Sequence, residues 1–342
     1  MNREIGSEFW DHPGLCDGVG HNGDSVFLLS GRTAIDFIAR DMHLSRQVRS
    51  VGLPAYCCES MIEPFVKHGL AVSFFDLCAE EAVLPEDCDA VLLLDYFGYE
   101  MPQTARLARL AHETGKVVIY DGTHKLSGNP AAEAFTDYSF CSYRKWFFCN
   151  SAVAVKHRGK FLVSKPEDTH PEYLRLRRAA AEKKKAYIQD GLGDKSEFLQ
   201  MFRQAEEILD TDYACYSGEA VFPETGQIAA RRRENAARLL EGLKQIPGVT
   251  PWRANLGEGD EPLFVPVLVD ADLRPELRKH LISRHIYCPV HWPLSHWHDQ
   301  SQTESAQELY TCELSLVCDQ RYDAGDMDRL LYEIRQFFGG NG

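Results

Sequence analysis

The sequence lacks long apolar runs. None approaches the roughly 20 residues that a helix needs to cross a bilayer. The first ten residues, MNREIGSEFW, also lack the apolar core of a secretory signal peptide. We therefore expect a cytoplasmic protein that has no membrane partner.

Basic residues are fewer than acidic ones. Lys and Arg together number 37 against 51 Asp and Glu, which gives a formal net charge of −14 at pH 7. Such a charge favours solubility and argues against a polyanion-binding surface. Nucleic acid is therefore not expected as a partner.

The cysteines lack the spacing of metal sites or disulfide frameworks. Eleven are scattered along the chain without a Cys-x-x-Cys pair, so neither a zinc knuckle nor a disulfide-bonded scaffold is predicted. Three histidines fall in the segment 291–298, but no ordered set of acids or cysteines accompanies them, and we predict no metal. We interpret His291 and Trp292 instead as the lining of a substrate-binding mouth.

Strand and helix patterns alternate along most of the chain, which predicts right-handed crossovers and a mostly parallel sheet in an α/β fold. A chain of 342 residues suits one large and one small domain. We place the large domain at 1–245 and the small domain at 246–342, because Pro247-Gly248 and a loop rich in Gly and acids follow. The predicted strands are 71–75, 90–95, 117–120, 138–143, 263–269 and 312–317, and the predicted helices include 34–42, 104–113, 165–192, 225–245, 274–284 and 325–338.

An acid and a lysine follow two successive strands in the centre of the chain. The apolar run 117–120 predicts a buried strand that ends at Asp121, and the strand 138–143 is followed by Lys145. Open α/β sheets bind ligands at the carboxyl ends of their strands. A lysine and an acid there suit pyridoxal phosphate, which needs a Schiff-base lysine and an acid beside its pyridinium nitrogen. An Asp at a strand end also forms turns or caps helices, so that interpretation stays open for each residue alone.

A phosphate site is indicated nearer the amino terminus. An apolar strand that starts at Val26 runs into Gly31, Arg32 and Thr33, after which a helix is predicted. The N–H groups and the dipole at a helix start favour an anion. An ordinary capped helix is the alternative.

The order of these parts resembles the DegT/DnrJ/EryC1/StrS aminotransferases, a family of fold-type I pyridoxal phosphate enzymes. The segment Asp121-Gly122-Thr123-His124 is similar to the family's Asp-x-x-His/Gln segment, and Ser142-Tyr143-Arg144-Lys145-Trp146 is similar to its lysine segment. The resemblance covers nearly the whole chain. It implies a large domain with a mostly parallel seven-stranded sheet and a smaller carboxyl-terminal α+β domain.

The resemblance also implies the layout of a site for pyridoxal 5′-phosphate. Lys145 forms the Schiff base, Asp121 pairs with the pyridine nitrogen, and His124 lies near the phenolic oxygen. A side chain that stacks on the cofactor comes from the proline segment, where Tyr56 is the candidate with a packed core ring as its alternative, and where the family often places that side chain at Cys58. The predicted cofactor-binding residues are Gly31, Arg32, Thr33, Tyr56, Cys58, Asp121, His124, Ser142 and Lys145.

The chain departs from the family after the lysine. The family usually continues to a glycine pair, whereas this chain reads Trp146-Phe147-Phe148-Cys149-Asn150-Ser151. Nucleotide-sugar members carry the glycine-rich form, and this chain is closer to a subgroup with Ser-x-Arg-Lys-Trp. The departure weakens the inference of a nucleotide-sugar substrate and leaves the cofactor site intact.

Two groups of basic residues have alternative interpretations. Arg144 is predicted to contact the phosphate or a substrate carboxylate, with a structural ion pair as the alternative. The basic run within 175–185 is interpreted as a solvated helix face, with binding of an anionic substrate or a partner subunit as the alternative.

These features predict an aminotransferase that moves an amino group between an amino donor and a keto or aldehyde acceptor, in specialised or sugar-related biosynthesis. Another pyridoxal phosphate reaction on an amino acid stays open: a lyase, decarboxylase, racemase or cyclase shares the lysine and the acid. A non-catalytic, regulatory pyridoxal phosphate-binding protein is a third hypothesis. The resemblance further implies a homodimer whose active site lies at the subunit interface.

Overall fold

A computed structural model describes residues 4–11, 20–46, 48–213, 216–298 and 303–339. None of the helices in these ranges is long and apolar enough to cross a membrane. The cysteines in the same ranges are all free, and Cys16 and Cys215 lie outside them. The strands are β1 (Ile5–Gly6), β2 (Asp24–Leu28), β3 (Ser50–Pro54), β4 (Ala71–Phe75), β5 (Ala90–Leu94), β6 (Val117–Asp121), β7 (Tyr138–Ser142), β8 (Ala152–Lys156), β9 (Val249–Pro251), β10 (Val265–Val269), β11 (Ile286–Tyr287) and β12 (Glu313–Leu316). The helices are α1 (Gly31–Arg46), α2 (Glu59–Lys67), α3 (Pro102–Glu113), α4 (Pro130–Glu133), α5 (Pro171–Asp190), α6 (Lys195–Thr211), α7 (Thr225–Leu243), α8 (Leu273–Ser283), α9 (Glu304–Cys312) and α10 (Ala324–Gly339).

Seven strands form the central sheet in the order β2-β8-β7-β6-β5-β3-β4. The strands from β7 to β4 pair in parallel, and β8 is antiparallel to both of its neighbours. Every residue of β5 and β6 is buried, as expected for strands covered on both faces. The predicted mostly parallel seven-stranded sheet is confirmed.

A second, antiparallel sheet has the order β12-β10-β9. Its apolar side chains form a separate core with α8, α10 and the end of α7, and Ile5 of β1 is buried in that core. Because β1 pairs with β11, the start of the described chain lies against the carboxyl-terminal unit. The predicted boundary after residue 245 stays a prediction.

Several elements differ from those predicted. The strands β3 and β8 and the helices α6 and α9 were not predicted, in part because β3 contains Gly52 and Pro54, which are rare in strands. The helix predicted over 165–192 begins only at Pro171, a residue that suits the first helical position.

The interpretation of the basic run as a solvated face is wrong for two of its members. Arg177 and Lys184 are buried, because α6 packs along α5 and covers this side of it. Lys184 donates a hydrogen bond to the backbone oxygen of Glu8, and burial lowers its pKa to about 7. The exposed members are Arg175, Arg178, Lys183 and Lys185.

Candidate active site

The carboxyl ends of β6 and β7 meet the start of α1 at a cavity of about 300 Å³. We call it the first cavity. Nine of the predicted site residues line it: Gly31, Arg32, Cys58, Asp121, His124, Ser142, Arg144, Lys145 and Trp292. The topology therefore brings most of the predicted site together, since neighbouring parallel strands end at the same edge of the sheet.

Asp121 is the last residue of β6 and is buried. Its Oδ1 accepts a hydrogen bond from the backbone N–H of Thr123 at 2.8 Å. Burial raises the pKa of Asp121 to about 6, although the hydrogen bonds of Thr123 and the charge of Lys145 act in the opposite direction. A positively charged group beside this carboxylate would favour its ionised form.

Lys145 ends the short turn that follows β7, and its side chain is exposed in the cavity. It forms no ion pair or hydrogen bond with the described residues, which leaves its amine available. The indole of Trp146 is fully buried and donates from Nε1 to the backbone oxygen of Thr123 at 2.8 Å. This bond ties the turn that carries the lysine to the turn that follows the acid.

His124 is held as a neutral ring. Its Nδ1 accepts a hydrogen bond from the backbone N–H of Phe97 at 3.0 Å, so the ring carries its proton on Nε2. Burial, and secondarily the charge of Lys145, lowers the pKa of His124 to about 3. The ring stacks with Trp292 at a centroid distance of 5.7 Å and an angle of 22°. The site thus has a neutral donor beside a flat aromatic wall.

The first turn of α1 forms the side of the cavity nearest β7. A Cβ added at Gly31 would lie 3.1 Å from the Cβ of Ser142, so glycine permits the helix start to approach the strand end. The first N–H groups of a helix have no partner within the helix and favour an anion. Arg32 also lines the cavity, but its guanidinium pairs with Asp210 at 3.0 Å.

Two predicted cofactor residues do not line the first cavity. Thr33 is buried, and its hydroxyl donates to the backbone oxygen of Tyr213 at 2.6 Å. Tyr56 is a core ring 5.0 Å from the ring of Trp292, and its hydroxyl donates to the backbone oxygen of His291. The structural alternative for Tyr56 is the one observed, and Cys58 lines the cavity in its place.

Arg144 forms a structural ion pair. Its guanidinium donates to the carboxylate of Glu206 on α6, and Arg177 lies 3.4 Å from the same carboxylate. Glu8 lies 3.5 Å from Arg177. Burial opposes the ionisation of Glu8, but nearby positive charges outweigh this effect and lower the pKa of Glu8. These charges are those of Arg177, Arg144 and Lys145. Arg144 is therefore already neutralised by protein carboxylates.

A second cavity of about 350 Å³ also has Lys145 in its wall. The two cavities share Glu8, Arg144 and Lys145 in their walls. His291 lines this second cavity and Trp292 lines the first, although their ring centroids are only 5.2 Å apart.

A buried network holds His291. Its Nδ1 lies 2.9 Å from the Ser315 hydroxyl, which donates to Glu313, and its backbone N–H donates to Glu313 at 2.9 Å. Burial raises the pKa of Glu313 to about 8, although bonds from Ser315 and His291 oppose the shift. Burial, and then the nearby His124 and Lys145, lowers the pKa of His291. The ring is therefore neutral at pH 7.

The histidine side chains of the segment 291–298 do not meet at one point. His296 pairs with Glu59 at 3.2 Å, and His298 lies 3.1 Å from the Tyr310 hydroxyl. Among the described residues no group of three or more His, Cys, Asp or Glu is arranged to hold a metal ion.

The residues that sequence reasoning missed come from distant segments. Glu8 and Glu206 line the first cavity, but neither belongs to a motif that signals a site. Arg232 of α7 and Arg278 of α8 are not among the predicted site residues, yet both line the second cavity. These residues come from elements far apart in the sequence, so only the tertiary fold brings them to the cavities.

The chain has the fold of the fold-type I pyridoxal phosphate aminotransferases. It is similar to Spr1654 from Streptococcus pneumoniae, a putative sugar aminotransferase in its PLP form, with a TM-score of 0.67 at 13% identity over 98% of this chain and 99% of that one. PseC of Helicobacter pylori, an aminotransferase involved in the biosynthesis of pseudoaminic acid, matches with a TM-score of 0.64 at 14% identity over 99% of both chains. A DegT DnrJ EryC1 StrS aminotransferase from Brucella abortus matches with a TM-score of 0.59 at 14% identity over 94% and 87%.

No protein-family model and no curated protein sequence matches the chain. The predicted resemblance is confirmed at the level of the fold, because solved structures of the named type share it over nearly the whole chain.

Proposed function

We propose that the chain is a pyridoxal phosphate-dependent aminotransferase that moves an amino group from a small-molecule donor to a keto or aldehyde acceptor in specialised or sugar-related biosynthesis. One observation carries the proposal: Lys145, exposed and without an anionic partner among the described residues, shares a cavity with the buried carboxyl of Asp121. The fold supports it, because the similar solved structures are aminotransferases and one is described as a putative sugar aminotransferase.

The residues present fit pyridoxal phosphate. The first cavity, at about 300 Å³, is of the size typical for small-molecule sites. The start of α1, opened by Gly31, suits the phosphate group. Burial alone disfavours the charged form of Asp121, and a pyridinium nitrogen would supply the missing cation. The unpaired amine of Lys145 suits the aldehyde.

The chain's own residues divide the chemistry between them. When bound, pyridoxal phosphate supplies an aldehyde that captures the substrate amine and an electron-poor ring that stabilises negative charge at the substrate carbon. Asp121 would keep the ring nitrogen protonated and thereby keep the ring electron-poor. Lys145 Nζ would take the proton from the substrate Cα as a base and, as an acid, would return it to the bound substrate–cofactor pair.

The surrounding side chains orient the ring and exclude water. His124 offers an Nε2–H donor, which the resemblance places near the phenolic oxygen. Trp292 stacks on His124 and closes one side of the cavity, and Cys58 contributes to another. Trp146 holds the two turns together, so the acid and the lysine keep their relative positions.

The test is the visible absorption of purified protein with added pyridoxal phosphate, before and after borohydride. We expect a band of lysine-bound cofactor that borohydride fixes onto Lys145 and that Lys145→Ala abolishes. Lys116→Ala is a control, since that lysine lies at the amino end of β6 and donates to two backbone oxygens. A wild type without the band, or a band unchanged in Lys145→Ala, would rule out the proposed role of Lys145.

A donor screen then separates the three hypotheses. Stoichiometric formation of pyridoxamine phosphate from an amino donor supports the aminotransferase. Turnover of one amino substrate without a keto acceptor supports a lyase, decarboxylase, racemase or cyclase. Cofactor binding without any turnover supports a regulatory protein.

The proposal includes a homodimer with the active site at the subunit interface, which rests on the resemblance to the aminotransferase family. A cytoplasmic location is part of the same proposal, and cell fractionation tests it.

A further inference from the structure

The strand β12 places two polar side chains inside the protein. Alternate residues of a strand point to the same side of its sheet, so Glu313 and Ser315 share one face, while Leu314 and Leu316 belong to the carboxyl-terminal apolar core. Glu313 and Ser315 are both fully buried. A buried carboxyl group is costly unless it is neutral or its oxygens accept hydrogen bonds.

The hydrogen bonds of Glu313 lead to His291. One carboxyl oxygen, Oε2, accepts the backbone N–H of His291 at 2.9 Å, and the other, Oε1, is bonded to the Ser315 hydroxyl. The oxygen of that hydroxyl lies 2.9 Å from Nδ1 of His291. The backbone N–H of Ser315 donates to Pro289 at 3.0 Å, which holds β12 against the segment that carries His291. A carboxyl, a hydroxyl and an imidazole therefore form a continuous chain.

The Ser315 hydroxyl has one proton, which it can donate to only one of its two neighbours. An ionised Glu313 can only accept, so Ser315 then donates to it, and Nδ1–H of His291 donates to Ser315. A protonated Glu313 instead donates to Ser315, which donates to Nδ1, so the ring carries its proton on Nε2. The protonation of Glu313 thus selects the tautomer of the neutral ring.

The second ring nitrogen of His291, Nε2, is the one left for a ligand. It has no hydrogen-bond partner among the described residues, and the ring lines the second cavity together with Lys145. Burial, and then the nearby His124 and Lys145, lowers the pKa of His291, so the ring stays neutral above pH 6.5. A change of tautomer therefore changes what Nε2 offers without changing the charge of the ring.

We propose that Glu313 is a positioning residue that acts through Ser315 on His291: a neutral Glu313 makes Nε2 a hydrogen-bond donor to the second cavity, and an ionised Glu313 makes it an acceptor. The donor form serves an uncharged oxygen, the keto or aldehyde oxygen of the amino acceptor. This oxygen belongs here because the reacting carbonyl must come close to Lys145, which shares the cavity. The assignment of the ligand rests on the proposed aminotransferase function.

The change of tautomer should follow the titration of Glu313. Burial raises the pKa of Glu313 to about 8, although its hydrogen bonds and the charge of Arg274 act in the opposite direction. The ionisable groups that face Glu313 or His291 are Arg274, Tyr56, Cys288, His124 and Lys145. Burial raises the pKa of Tyr56 and of Cys288 and lowers that of His124, so these three groups stay uncharged near pH 8.

The test is solid-state NMR of protein without cofactor, labelled with 15N histidine, which distinguishes protonated from bare ring nitrogens. The signals of His291 are those lost in His291→Asn. We expect its proton on Nε2 at pH 6.5 and on Nδ1 at pH 9.5. His124 is the internal control, because the backbone N–H of Phe97 keeps its proton on Nε2 at both pH values.

Two variants test the chain itself. In Glu313→Gln the backbone N–H of His291 fixes the amide oxygen, so the amide N–H donates to Ser315 and the proton of His291 should stay on Nε2 at both pH values. In Ser315→Ala the tautomer should no longer follow the pH. The exposed Glu241→Gln is the control and should behave like the wild type. A wild-type tautomer that does not change, or a change that persists in Glu313→Gln, would overturn the proposal.

The second readout is the reaction of protein loaded with pyridoxamine phosphate and mixed with dihydroxyacetone, an uncharged ketone. The half-saturating ketone concentration should rise about tenfold between pH 7 and pH 9 in the wild type, as for loss of one hydrogen bond. This step should be absent in Glu313→Gln, and Lys145 is present in both proteins. A step of equal size in both would overturn the role of Glu313 in binding the ketone.

The result is separable from the proposed function. If the protein takes up no pyridoxal phosphate, the aminotransferase proposal fails, whereas the NMR of protein without cofactor still decides whether Glu313 sets the tautomer of His291. If the enzyme transaminates and the tautomer is the same at both pH values, only the role of Glu313 fails.

Discussion

At the scale of single residues, the buried acidic side chains lower the stability of the protein while they serve its function. The pKa of Asp121 lies at about 6, above its ordinary value of 3.8, because of burial. Because folding raises the pKa of Asp121, the contribution of this carboxyl to the free energy of unfolding is complete below pH 3.8. It is lost as the pH rises through 6. At neutral pH, the buried charge of Asp121 therefore destabilises the protein without cofactor, although the cofactor requires this carboxylate.

Asp121→Asn should be as stable as the wild type at pH 4 and more stable at pH 8 when no cofactor is present. The gain is at most about 3 kcal/mol, since each pKa unit corresponds to about 1.4 kcal/mol. Urea unfolding at both pH values measures it. Asp272→Asn is the control, because it changes an exposed helix-cap position without a side-chain capping bond.

With pyridoxal phosphate bound, the wild type should be the more stable protein at pH 8, because the asparagine cannot compensate a pyridinium charge. Transamination should fall by several orders of magnitude. An Asp121→Asn protein with wild-type stability at pH 8 would contradict the raised pKa, and one with full activity would contradict the role of the acid.

Glu313 behaves in the same way over a wider range. Its pKa of about 8 lies above the ordinary 4.5 because of burial, so its contribution to stability is complete below pH 4.5 and is lost as the pH rises through 8. Glu313→Gln should match the wild type at pH 4.5 and exceed it at pH 9 by about 3–5 kcal/mol. Thermal unfolding across this range checks the expectation, and equal shifts in the exposed Glu241→Gln variant would refute it.

At the scale of elements, the site depends on how closely α1 approaches the end of β7. Gly31→Ala would place a Cβ 3.1 Å from the Cβ of Ser142, so the helix start must move. Overpacking of this kind costs about 1–3 kcal/mol. We expect the dissociation constant for pyridoxal phosphate to rise about tenfold, which a fluorescence titration measures.

Gly226→Ala is the matched control, because Gly226 also lies in the first turn of a helix. Its added Cβ would meet only the carboxylate of Glu224, at 3.2 Å, the end of a flexible side chain. Similar losses of cofactor affinity in both variants would show that the approach of α1 to β7 is not what forms the phosphate site.

At the scale of the whole molecule, the homodimer is the central expectation. Analytical ultracentrifugation of the protein with cofactor should give the mass of two chains. Dilution below the dissociation constant of the dimer should reduce activity together with the dimer fraction, because the active site would be incomplete in one chain. Full activity at the mass of a single chain would overturn the proposed interface site.

The sequence by itself determined the central sheet edge. The apolar runs of β5 and β6 and the alternating pattern of β7 are local, and a strand that ends in Asp121 can be recognised from its own residues. Parallel neighbours end at one edge of a sheet, so Asp121 and Lys145 could be placed together without coordinates. The same local reasoning located Gly31 at a helix start.

Only the tertiary structure decided which residues contact the side chains at and around the site. Arg144 is neutralised by Glu206, 62 residues away, and Tyr56 turns toward the backbone of His291, 235 residues away. Arg232 and Arg278 meet at the second cavity because α7 and α8 pack in one apolar core, although they are far apart in the sequence. Such contacts follow from the burial of whole elements against one another, and no local periodicity records them.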